Sequence, residues 1–86
     1  MMVVFEVYIA PGSDPANVLS AETRSETKAR VMTPDEARKA GFHGLPEAPP
    51  GLEMRLIAVD RGHAKWIQRA LEVNEVVGQF RMHEVG

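Results

Sequence analysis

The chain contains no cysteine, which excludes a disulfide framework and a thiolate zinc site. Aromatic residues make up only 6%, with one Trp and one Tyr, and none alternates with a basic run as stacking on single-stranded nucleic acid requires. An excess of either charge is also missing, since 10 Lys plus Arg stand against 12 Asp plus Glu. The balance holds on both sides of residue 43, so neither half is a basic arm or an acidic tail. Nucleic acid and anionic membrane are therefore disfavoured as partners. The opening MMVVFEVYIAPG is apolar, but Glu6 interrupts it and it stops after about ten residues, half of what a membrane span needs. It has no basic leader and reads as a strand, so a cytoplasmic protein without a membrane segment is expected. Glycine-rich phosphate loops, GxSxG, HExxH and CxxC are all absent. The sequence thus assigns no cofactor and no catalytic residue, and it weighs against an enzyme.

What is present suits one small domain over residues 1–86. Apolar residues are 44% and charged residues 26%, ordinary for a folded chain and too hydrophobic for wholesale disorder. A chain of 86 residues hides only about 60–65% of its unfolded surface. With no disulfide to supplement the core, a second subunit is the expected source of further burial.

Residues 2–10 alternate, with Val3, Phe5, Val7 and Ile9 on one side and Val4, Glu6 and Tyr8 on the other. Pro11 and Gly12 end this strand. Residues 12–31 are rich in Ser, Thr and charge; a short helix capped by Asp14 and running through Ala21 and a short strand over 26–32 are read here, with flexibility of part of the segment as the alternative. TPDEARKAG is sharper: Thr33 at the N-cap, Pro34 in the first turn, Glu36 three residues after the cap, and Gly41 at the stop predict a helix stapled by Met32 and Ala37. Residues 42–51, with three prolines and two glycines, form a loop that covers something.

LEMRLIAV, residues 52–59, is the next strand; its parity is read with Met54, Leu56 and Ala58 inward and Arg55, Ile57 and Val59 outward. Asp60 caps a long helix predicted from Arg61 to Val77 and closed by Gly78, followed by a strand over 79–85 with Phe80 and Met82 inward. On a helical wheel Trp66, Ile67, Ala70, Leu71, Val73 and Val77 share an arc of roughly 160°. His63 and Asn74 fall inside it and are expected to bond passing loops, His63 through a loop carbonyl or carboxylate and Asn74 through backbone of 11–33 or 42–51. Trp66, near the arc's edge, is expected partly buried against the sheet. The fold class that follows is α+β: a three- or four-stranded, mainly antiparallel sheet with one long helix on one face, ferredoxin-like in order.

This parity leaves Val4, Glu6, Tyr8, Arg55, Ile57, Val59, Arg81 and His83 on the sheet face away from the helix. The preferred reading is a non-catalytic interaction or regulatory module, acting as a homodimer or clasping a protein partner through that face. Two alternatives remain open: the 34–40 helix and proline-rich loop cover the face, or the same residues line a small-molecule pocket in which His83 or Glu6 carries protons and the arginines hold an anion. Nucleic-acid binding through Arg24, Lys28 and Arg30 ranks third. His43, His63 and His83 lack ligand spacing, so no metal is expected.

Overall fold

The computed structural model describes residues 2–85. Its element order begins with β1 (Met2–Ile9), α1 (Pro15–Val18), α2 (Ala21–Thr27), β2 (Arg30–Met32) and α3 (Pro34–Lys39), and continues with β3 (Glu53–Asp60), a 3-10 turn (Arg61–His63), α4 (Ala64–Glu72) and β4 (Val77–Val85). The four strands form one antiparallel sheet in the order β2-β3-β1-β4, so β1 and β3 are central and β4 is a nine-residue edge. The α+β class and the antiparallel sheet follow the sequence reading.

Local chemistry explains most boundaries. At α3 the full capping box forms: Glu36 N–H donates to Thr33 Oγ1 and Thr33 N–H donates to the Glu36 carboxylate. Gly41 follows with φ of 99°, a conformation that side chains with a Cβ resist. The short helix expected after Asp14 forms as α1, with Ala16 N–H donating to Asp14 Oδ1, and a second short helix, α2, follows it. Ser20 accepts from Thr23 N–H to start α2, and Thr27, buried, donates to the Thr23 carbonyl near its end. The strand expected over 26–32 shrinks to Arg30–Met32 because α2 runs through Thr27.

The long helix is shorter than its apolar pattern implied. It ends at Glu72, and residues 73–76 turn into β4, which starts at Val77. Asn74 makes this turn: its Oδ1 accepts from Val76 N–H, and its Nδ2 donates to the carbonyls of Asn17 and Val18, at 2.6 and 2.9 Å. A residue whose side chain holds both α1 and its own turn, and whose carbonyl accepts from Val77 N–H, has left the helical ladder. Gly78, expected as the helix stop, sits in β4 where the register with β1 shifts between Tyr8 and Ile9.

Two apolar layers flank the sheet. On one side Val3, Phe5, Val7 and Ile9 meet Ala64, Ile67 and Leu71 of α4 together with Val18, Leu19 and Ala29. On the other, Val4, Tyr8, Met32, Met54, Leu56 and Ala58 pack beneath Ala37 of α3 and Phe42, Leu45, Ala48 and Leu52 of the proline-rich stretch. The β3 parity is therefore the reverse of the sequence reading. Antiparallel partners share a face, and Ile57 lies opposite Phe5, Val59 opposite Val3, Met54 opposite Tyr8. Ile57 and Val59 point to α4 and are buried; Met54, Leu56 and Ala58 point away from it.

Candidate functional site

Of the eight residues expected on one open face, the structure brings five together. Val4, Glu6 and Tyr8 share a face of β1, and across the β1–β4 ladder Glu6 sits opposite Arg81 and Val4 opposite His83. Ile57 and Val59 are on the helix side, as above. Arg55 is separate too: Nη2 donates to Glu53 Oε2 at 3.0 Å and Nη1 to the Met54 carbonyl, and the side chain borders a cleft beside Pro34, Arg38 and Leu45. Val4 and Tyr8 are buried under the loop layer, so most of the face is covered within one chain. What stays open is the β4 margin, carrying Gln79, Arg81 and His83, all exposed.

Along that margin runs a short polar chain. Glu6 is the pivot, its side chain only 13% exposed, with Oε1 lying 2.8 Å from His83 Nε2 and Oε2 accepting from the Tyr8 hydroxyl at 3.3 Å. Burial of the Tyr8 hydroxyl raises its pKa, and the negative charge and hydrogen bond of Glu6 push the same way, against a smaller opposing pull from Arg81. Tyr8 therefore stays a protonated donor and holds one carboxylate oxygen while His83 holds the other. The His83 ring, 49% exposed, has committed Nε2 and presents Nδ1 as its second nitrogen. Such an arrangement orients the imidazole at the surface. The described clefts of the molecule lie elsewhere, beside α3, along α4 and at the Met2–Asp60 end of the sheet.

The helix side of the same margin is apolar. Phe80 tilts against Phe5, with ring centroids 6.2 Å apart, and Met82, opposite Phe5 in the ladder, is 49% exposed. Arg61 reaches over from the 3-10 turn to Glu84 at 3.5 Å. The free edge of β4 thus runs between a polar row and an apolar row. The sequence reading placed Met82 in the core and overlooked this edge, where Met82 is half exposed.

The remaining polar residues are structural. His63 Nδ1 lies 2.5 Å from Asp60 Oδ2, while Asp60 Oδ1 accepts from Gly62 N–H at 2.7 Å. The His63 bond is the main cause of a lowered Asp60 pKa. Among the described residues no three His, Asp or Glu side chains converge as a metal site, and no helix is long and apolar enough to cross a membrane. Comparison with known proteins finds no matching family model and no matching curated protein.

Proposed function

We propose that the protein is an interaction module that homodimerises by joining β4 to β4, extending two four-stranded sheets into one. The observation that carries this reading is the nine-residue β4 edge with Met82 half exposed beside it. An unpaired edge of that length presents a row of backbone donors and acceptors to another strand, and proteins that avoid such pairing shorten, bulge or cover it. A two-fold axis normal to the sheet keeps each face on its own side. Centred on Met82, it sets Met82 against the partner's Met82, and Arg81 against the partner's His83, which Glu6 already holds. Centring on Arg81 instead would oppose two guanidinium groups. The strand order and the two crossovers through α2 and α4 support placing this fold among ferredoxin-like sheets, and the small core supports a second subunit.

The register is directly testable because the chain has no cysteine. Directly opposed positions of an antiparallel pair have Cβ atoms about 4.5–5.5 Å apart, near disulfide range. Met82→Cys should therefore oxidise to a covalent dimer, whereas Gln68→Cys on α4 should not. Light scattering should return twice the chain mass for the parent protein and a single mass for Met82→Lys with unchanged circular dichroism. A parent protein that is monomeric at roughly 100 µM, a weak association by ordinary standards, removes the proposal.

A second reading has its own observation. The Tyr8–Glu6–His83 chain resembles in its logic a carboxylate-oriented imidazole, which supports a small anionic ligand held at His83 and Arg81. Chemical-shift titration of His83 with inorganic phosphate tests it; shifts that persist in Arg81→Ala count against it.

A further inference from the structure

Helix α4 and its C-cap Val73 carry a second apolar row, of which Ala70 alone packs partly against the core. Ala64, Ile67 and Leu71 are its buried residues. Trp66, Ala70 and Val73 recur at spacings of four and three and form another stripe, rotated by about 100° from the first. Trp66 is 46% exposed and Val73 82%, and with Ala70, Lys65 and Arg69 they border a shallow recess of ≈ 680 Å³. A tryptophan left half in water is unusual for a side chain whose burial contributes so much to cores and interfaces. The rim is basic. Lys65 and Arg69 make no ion pair among the described residues, while Glu72 on the same helix accepts from Gln68 Nε2. This local positive charge belongs to a chain with net charge −2.

We infer that the Trp66–Ala70–Val73 stripe docks an amphipathic helix of another protein, one whose apolar row is flanked by Asp or Glu. The small Ala70 between two larger residues leaves space for an apolar side chain of the visiting helix, and the acidic flank complements Lys65 and Arg69. The charge pattern disfavours a second copy in this place. Two α4 helices laid antiparallel about a two-fold level with Ile67 would set Lys65 against the partner's Arg69 and Arg69 against the partner's Lys65. An anionic membrane shares the electrostatics, but interfacial helices present a broad apolar face, and two turns with three apolar residues offer little to insert.

Trp66 is the only tryptophan, so its emission reports this surface alone. Three probes separate the occupants: a synthetic helix with a leucine row flanked by Glu, the same helix flanked by Lys, and phosphatidylcholine vesicles with roughly 30 mol% phosphatidylserine. The Glu-flanked helix should shift Trp66 emission to the blue and bind roughly tenfold more tightly than the Lys-flanked one, the scale of two exposed ion pairs. Lys65→Glu with Arg69→Glu should invert that preference, and Val73→Ser should weaken binding while circular dichroism stays unchanged. No shift with the Glu-flanked helix, an unchanged preference in the reversed variant, or a shift with vesicles only overturns the inference.

Discussion

Asp60 concentrates several roles in one side chain. It ends β3, accepts from Gly62 N–H, and holds the His63 ring, so the entry to α4 depends on its being ionised. Its pKa is lowered chiefly by His63, and that of Glu36 is lowered chiefly by the Thr33 backbone N–H. A carboxylate with a depressed folded pKa stabilises the fold above its unfolded pKa, and the contribution fades as pH falls through the folded value. Melting temperatures of the parent and of Asp60→Asn with Glu36→Gln should therefore differ at neutral pH and converge once the pH drops below the ordinary carboxylate range. A gap that is constant across that range contradicts the assignment. These two anchors were readable in the sequence, because a cap is a local matter: Thr33, Pro34 and Glu36 within four positions, or Asp60 just before a helix, specify their own geometry. Asn74 was readable in part. Its polar side chain on an apolar arc announced a bond to a passing loop, and the Asn17 and Val18 carbonyls supply it. That the same residue also ends the helix was hidden, because apolar periodicity continues through Val73 and Val77 regardless of which backbone carries them.

Strand parity shows how far alternation can be trusted. β1 was legible because Glu6 marks its more polar row, whereas β3 is apolar in both rows over Leu56–Val59 and leaves only Glu53 and Arg55, at its start, to mark one of them. Arg55 misleads: it lies opposite Val7, beyond the three β3 residues paired with β2, and its guanidinium turns back along its own strand to Glu53 and the Met54 carbonyl. A strand covered on both faces has no wet side to read. The reversal changes what a substitution at Ile57 reports. Fully buried against Phe5 and α4, Ile57 is a core residue, so Ile57→Ala should cost about 2–5 kcal/mol in chemical denaturation without changing the association state. A cost below about 1 kcal/mol would be that of a surface site. Met82→Lys, at a half-exposed edge position, should do the opposite, altering mass and leaving the fold.

At the scale of the molecule, coverage is asymmetric. The face away from α4 is closed over β2, β3 and part of β1 by α3 and by the half-buried Phe42, Leu45, Ala48 and Leu52 of the 42–52 stretch. Among the described residues no comparable cover reaches β4, where Gln79, Arg81, Met82 and His83 are exposed. The two surfaces proposed for contact, the β4 edge and the α4 stripe, differ in chemistry: one offers backbone hydrogen bonds with a methionine, the other a tryptophan with two cations. The proposed joining at β4 would couple folding to association, because it would remove the apolar surface around Met82 from water. Mass action then requires the melting temperature of the parent protein to rise with protein concentration. Calorimetry over a hundredfold range of concentration should record that rise for the parent and for Lys65→Glu with Arg69→Glu, which alter only the α4 rim. Met82→Lys should melt at one temperature throughout. If the parent's melting temperature is also independent of concentration, the edge is closed to a second copy. If instead the α4 variant loses the dependence, association runs through the helix rather than the sheet.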